Sequence, residues 1–251
     1  MTGLTITIIT HQEERNIGRC LEAVGGLAGE ILVVDSFSTD KTAEICESHG
    51  CRVIRREFRG FADQKQFAVN EAKNDWILVL DADEVVTEGL KNEIAALLQQ
   101  ETIPFCGYEI PFFLFYLGKI MHHTGVGNEY KPRLFNRKSG AFDPTEVHEK
   151  FTLKGRAGRL KGRIIHYSYS DLQNQFDKSN NYTTLGARQN LQNGKRYHKL
   201  WVVIKFPVTF LIYFFIKGGF LDGYPGFMWS FIAAFNSTIK IAKTIEMTTR
   251  S

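Results

Sequence analysis

LTITIIT (residues 4–10), EILVVD (30–35) and WILVL (76–80) decide the fold. Each stretch is apolar and rich in β-branched residues. Each is too short for a core helix and is bounded by polar residues, so each reads as a buried strand. The segments between them carry helical spacing. Over 13–24 the apolar positions are Ile17, Cys20, Leu21 and Val24. Residues 38–48 open with capping chemistry and continue as a helix. A short strand over 51–54 and helices over 61–74 and 88–100 complete the pattern. Strands alternating with helices of about ten residues imply a parallel sheet with right-handed crossovers.

In such a sheet, ligands bind outside the carboxyl ends of the strands. Three of those ends are rich in acids: His11-Gln12-Glu13-Glu14, Asp35 with Asp40, and Asp81-Ala82-Asp83-Glu84. The expectation is one acidic crevice suited to a hard cation, Mg²⁺ or Mn²⁺, and through it to a diphosphate. The plain alternative for Asp40 is a helix cap or turn former. An Asp-x-Asp after a buried strand is harder to dismiss, because adjacent like charges repel unless a cation lies beside them.

LTITIITHQEERNI, EILVVDSFSTDKTAEI and DWILVLDADE resemble, in order and spacing, the nucleotide-sugar domain of family 2 glycosyltransferases. KPRLFNR (131–137), PTEVHEKF (144–151) and IIHYSYSD (164–171) resemble a narrower group, the bacterial enzymes that glycosylate the heptose of the lipopolysaccharide core. The resemblance implies an α/β fold of GT-A type: a Rossmann-like, mainly parallel sheet with a helical, apolar C-terminal extension. It implies metal-dependent, inverting transfer of a hexose, glucose above others, from a UDP-type nucleoside-diphosphate sugar to a lipid-linked glycan. Thr10, His11 and Glu13 would line the nucleoside pocket. Asp35 would hydrogen-bond the base, and Lys65 would contact the nucleotide. Asp81 would approach ribose and metal, and Asp83 would ligate the metal. His11 stands where the family usually has Tyr, and Ser36 where it often has a second Asp.

Inversion needs a base for the acceptor hydroxyl. Asp143, Glu146 and Glu149 are the candidates, and Glu149, in Val-His-Glu, is the choice. His148 would orient the acid or the acceptor. His166, after Ile164-Ile165, is either a further metal or diphosphate ligand or a satisfied core histidine. Arg133 and the basic run over 150–163 either contact phosphate, where Arg pairs in bidentate fashion, or form a solvated face.

The net charge of +4 is unevenly spread. Residues 1–100 carry 10 basic and 17 acidic side chains, and residues 101–251 carry 21 and 10. The charge comes with no nucleic-acid-binding motif, so nucleic acid is not expected as a partner. The four cysteines lack metal-site spacing and read as reduced core thiols. The first five residues, MTGLT, have no basic region, so no cleavable secretory signal is expected. A sugar-nucleotide pyrophosphorylase would want a Gly-rich loop where THQEERN stands. A non-catalytic glycan-binding scaffold is the rival of another class.

The expected organisation is a nucleotide-sugar part over 1–100, an acceptor and catalytic part over 101–198, and a membrane-associating extension over 199–251. LWVVIKFPVTFLIYFFI (200–216) is nearly all apolar, and 227–235 is a second apolar stretch. Seventeen residues reach about 26 Å as a helix, short of the roughly 30 Å hydrocarbon core. With Trp201, Tyr213, Trp229 and several lysines nearby, the segment is expected to lie on an anionic membrane surface. The expected location is the cytoplasmic face of the inner membrane, peripheral or monotopic. A buried hairpin and a true span are the alternatives.

Overall fold

A computed structural model describes residues 3–143 and 150–250 of the chain. It forms two compact units, Met1–Phe112 with Glu129–Tyr167, and Phe113–Asn128 with Ser168–Ser251. The expected boundaries near 100 and 198 are therefore replaced by a division in which each unit draws on two separated stretches.

In chain order the elements begin β1 (Leu4–Thr10), α1 (Ile17–Val24), β2 (Glu30–Asp35), α2 (Thr42–Ser48), β3 (Arg52–Arg55), α3 (Phe61–Glu71), β4 (Trp76–Asp81), β5 (Glu84–Val86) and α4 (Glu88–Leu98). β6 (Gly107–Tyr116), β7 (Lys119–Ile120), β8 (Gly127–Asn136), β9 (Gly140–Asp143), β10 (Lys150–Leu153), β11 (Ala157–Arg159) and β12 (Ile164–His166) follow. The main sheet runs β3-β2-β1-β4-β8-β6-β12-β5. β1 pairs in parallel with β2 and β4, and β2 with β3, as the alternating pattern requires. β8 then adds antiparallel to β4.

Every residue of β1 is buried, which explains its unbroken apolar and β-branched run: helices cover both faces of a central parallel strand. On α1 the buried residues are Ile17, Cys20, Leu21 and Val24, the predicted stripe. Asp40 forms the turn ahead of α2: its Oδ1 accepts hydrogen bonds from the Thr42 amide and hydroxyl, and its Oδ2 from the Glu14 amide. Gly162 lets the chain before β12 pass over α4, where a side-chain Cβ would lie 2.3 Å from Leu90 Cα. That close approach sets β12 beside β5 and so places His166. All four cysteines are free thiols, with Cys20 and Cys46 buried.

The second unit is built on α5 (Leu172–Gln192), α6 (Leu200–Leu211) and α7 (Tyr224–Arg250). α6 contains Pro207 and runs into a π-helical turn over Ile212–Ile216. Buried Asp222 ties the turn before α7 by accepting from the amides of His122 and His123. Phe210 and Phe214 of the first helical stretch pack edge-on against Phe227 of α7. The opposite side is apolar and open: Trp201, Val203, Leu211, Phe215 and Ile216 are all exposed, Ile216 at 80%. These side chains do not fit the alternative of a fully buried hairpin. No helix among the described residues is long and apolar enough to cross a membrane.

Candidate active site

The carboxyl ends of β1, β2 and β4 lie side by side, because the parallel register places Thr10 opposite Asp35 and Ile9 opposite Asp81. Each end holds a different chemistry.

At the end of β4 four charged side chains form a balanced cluster. Lys65 Nζ lies 2.9 Å from Asp81 Oδ1 and donates to Oδ2 at 3.2 Å. Arg133 Nη2 donates to Asp81 Oδ2 at 3.2 Å and to Glu84 Oε1 at 2.7 Å. The other oxygen of Glu84 accepts the Asp81 amide at 2.9 Å. Lys65, Arg133 and Glu84 are almost wholly buried, and only the Asp81 side chain, 29% exposed, opens to solvent. Burial opposes ionisation of Asp81. The adjacent Lys65 and Arg133 charges outweigh it and hold the carboxyl well below the usual carboxylate range. The Arg133 guanidinium also stands over the Phe112 ring, 5.1 Å from its centre.

This corrects the expectation of a purely acidic crevice. Lys65 and Arg133, expected on nucleotide and phosphate, pair here with Asp81 and Glu84. Asp81, expected in the metal set, is already neutralised by two cations.

The adjacent acid is differently placed. Asp83 Oδ2 lies 3.1 Å from His166 Nε2, and both side chains keep some exposure, 17% and 34%. The Asp83 carbonyl accepts the Tyr167 amide, and His166 faces Glu84 across the β5–β12 ladder. Burial lowers the His166 pKa, but the hydrogen bond and charge of Asp83 more than offset that and raise it. His166 has a hydrogen-bond partner in Asp83 and stands beside the acids of the β4 end, an arrangement that both expected readings of it share. Among the described residues no group of three or more His, Cys, Asp or Glu is arranged to hold a metal ion. Asp83 and His166 supply two donors, oxygen and nitrogen. These two residues are the ones that could hold a divalent cation, through one carboxylate oxygen and one imidazole nitrogen.

The β1 and β2 ends carry the rest. Thr10 is buried, and its hydroxyl has no hydrogen-bond partner among the described residues. His11 is exposed, with Nδ1 3.0 Å from the Ser36 carbonyl. Glu13 accepts from the Asn16 side chain at 2.8 Å, and its amide donates to Thr42 Oγ1. Asp35, expected to reach the base, is wholly buried. Its two oxygens accept from the Ser38 amide at 2.9 Å and the Ser38 hydroxyl. It shapes the loop rather than facing a ligand.

Asp143 closes β9. Glu146, His148 and Glu149 lie outside the described residues. In the basic run, Arg156, Arg159 and Lys161 are exposed, and Arg159 pairs with Glu109. Glu84 was absent from the expected site residues. Its only sequence signal was its place directly after Asp-x-Asp, and nothing local distinguishes a buried Glu there from an exposed one.

Comparison with known proteins agrees with this architecture. A lipopolysaccharide core biosynthesis glycosyltransferase, LpsC of Rhizobium meliloti, is 30% identical over 92% of this chain and 90% of its own. An uncharacterized glycosyltransferase of Rickettsia typhi is 30% identical over 100% of this chain and 89% of its own. The crystal structure of S. aureus TarS 1–349 shares the fold, with a TM-score of 0.50 at 14% identity, covering 98% of this chain and 91% of that one. The family model for glycosyl transferase family 2 matches residues 5–154. With the parallel sheet, the acids at its strand ends and this match together, the chain belongs to glycosyl transferase family 2.

Proposed function

We propose that the chain transfers a hexose, glucose above others, from a UDP-type nucleoside-diphosphate sugar to a lipopolysaccharide-core heptose or a similar lipid-linked glycan. The transfer inverts the sugar and uses Mg²⁺ or Mn²⁺. The observation that carries this reading is the Asp83–His166 pair, 3.1 Å apart, beside the charge-balanced Asp81 cluster. The likeness to LpsC supports the class of acceptor.

In this reading Asp83 and His166 hold the cation. When bound, the cation stabilises the charge that grows on the departing diphosphate. Lys65 and Arg133 keep Asp81 ionised and fixed, so its remaining exposed edge is oriented toward the donor's ribose. Thr10, His11 and Glu13 frame the nucleoside. Glu149 takes the proton from the acceptor hydroxyl on the face opposite the leaving group. Glu149→Gln keeps the shape and removes the base, so turnover should fall at least about a hundredfold with donor affinity unchanged. Steady-state kinetics with a separate donor-binding measurement check this. Normal transfer by the variant assigns the base elsewhere, with Asp143 and Glu146 next to test.

The direct test of the reaction supplies UDP-glucose, Mn²⁺ and a heptose-terminated core acceptor, and follows both UDP release and the glycosylated product. A glycan-binding scaffold releases no UDP under any condition.

The acceptor is a lipid, and the second unit carries the surface to meet it. Residues 195–217 hold Lys195, Arg196, Lys199, Lys205 and Lys217 and no acid. The exposed apolar side chains of the same stretch sit among those lysines, the pattern of a helix lying in a bilayer interface. α6 alone is about 18 Å long, too short to span. This reading places the protein on the cytoplasmic face of the inner membrane. The full chain should float with vesicles containing phosphatidylglycerol at low salt and be released by high salt. Trp201→Asp with Ile216→Asp should abolish flotation and leave donor hydrolysis unchanged. Equal flotation by the double variant would remove this face from the reading.

A further inference from the structure

Phe37 stands in a conformation that its side chain disfavours. Its φ is +56°, on the left-handed side of backbone space, where a bulky residue is a genuine outlier. Its ring is 58% exposed, so core packing does not explain the choice. The surrounding loop enforces the geometry. Asp35 accepts both the amide and the hydroxyl of Ser38. The Ser38 hydroxyl in turn accepts the Gln12 amide at 2.9 Å, and Gln12 itself has φ +56°. Ser36 donates its amide to the Thr10 carbonyl at 2.9 Å. Two residues at positive φ thus lie on neighbouring strand ends, cross-tied by hydrogen bonds. The Phe37 ring is held exposed on the loop that follows β2.

Strain of this kind persists where surrounding structure over-determines it, and it concentrates at ligand clamps. Asp35 is wholly buried, whereas the His11 and Phe37 rings at these two strand ends are exposed. We propose that Phe37 is a donor-recognition residue whose ring stacks on the nucleobase, a role that rests on the nucleoside-diphosphate-sugar reading above. The strained loop then has a purpose. It fixes the ring before the donor arrives, and a fixed ring loses little freedom on binding. Stacking uses the π-face common to every base, so the ring contributes affinity for nucleoside diphosphates as a class.

The test compares Phe37→Gly, Phe37→Ala and Phe37→Trp with the native chain. The readouts are calorimetric Kd for UDP with Mn²⁺, Kd for inorganic pyrophosphate with Mn²⁺, and Tm without ligand. Glycine removes the ring and relieves the backbone, so its Tm should not fall. Its UDP binding should weaken roughly 10- to 100-fold, the span expected from loss of one base–aromatic stack. Alanine should weaken UDP binding equally, and tryptophan should retain it. Pyrophosphate binding should be the same in all four proteins, because it has no base. UDP binding by Phe37→Gly within about twofold of native overturns the stacking role while leaving the donor reading intact. So does an equal loss toward pyrophosphate, which would mean the loop acts on the phosphates. A native chain that binds pyrophosphate with Mn²⁺ but no nucleoside diphosphate overturns both readings at once.

Discussion

Arg133→Met is expected to lower the unfolding free energy by about 1–3 kcal/mol, because buried Glu84 and Asp81 lose a hydrogen-bonded partner and Glu84 must take up a proton to stay buried. Arg133 Nη2 forms a 2.7 Å ion pair with Glu84, and both side chains are almost wholly buried. Without the guanidinium, a carboxyl that burial already pushes up to about 7 loses its largest opposing influence. Asp81 keeps only Lys65. A methionine of similar length refills part of the space against Phe112, so the effect reads out charge more than volume. Urea denaturation should show a lower midpoint with an unchanged m-value. The double variant Arg133→Met, Glu84→Gln should recover a substantial part of the loss, because a neutral glutamine needs no cation partner. A single-variant loss below about 1 kcal/mol, with no recovery in the double, would falsify the claim that these ion pairs are one unit.

The same cluster marks where reading the sequence reached its limit. β1, β2 and β4 were legible because each is largely buried and written as a nearly continuous apolar run. The helices between them carry their own period. β6 was not legible. GYEIPFFLFY is buried almost throughout, so it lacks the alternation of a half-exposed strand, and Pro111 within it argues against one. Its pairing is settled by partners such as β11 and β12, distant in sequence, which no local pattern encodes.

The site followed the same rule. Asp81-Ala82-Asp83 announced itself as a motif, but the role of each acid depends on what arrives from elsewhere. Arg133, 52 positions on, comes to Asp81, and His166, 83 positions on, comes to Asp83. An Asp at the end of β2 reads alike whether it faces a ligand or, as Asp35 does, folds back on its own loop. The C-terminal segment gave its apolar character plainly. Which side chains its helices bury against each other, and which they leave open, depends on how α6 and α7 pack.

Asp83→Ala should reduce turnover by roughly 10³-fold, because it removes the carboxylate that this reading assigns to the metal, and several kcal/mol of leaving-group stabilisation go with it. The fold should survive. Asp83 is on a short turn between β4 and β5, and its structural duty is its backbone carbonyl, which accepts from Tyr167 whatever the side chain. The companion change, His166→Ala, removes the second donor and should weaken Mn²⁺ binding by about 10- to 100-fold without abolishing it, as loss of a supporting group does elsewhere. Mn²⁺ electron paramagnetic resonance titrations in the presence of UDP measure that affinity without relying on turnover. The two variants also separate metal binding from a plain ion pair. If Asp83 and His166 only held each other, either change would shift stability by a similar amount and leave Mn²⁺ affinity alone. If they hold the cation, both weaken Mn²⁺ and excess metal partly restores His166→Ala. Native Mn²⁺ affinity in Asp83→Ala, with turnover insensitive to chelator, would place the leaving-group chemistry on other residues.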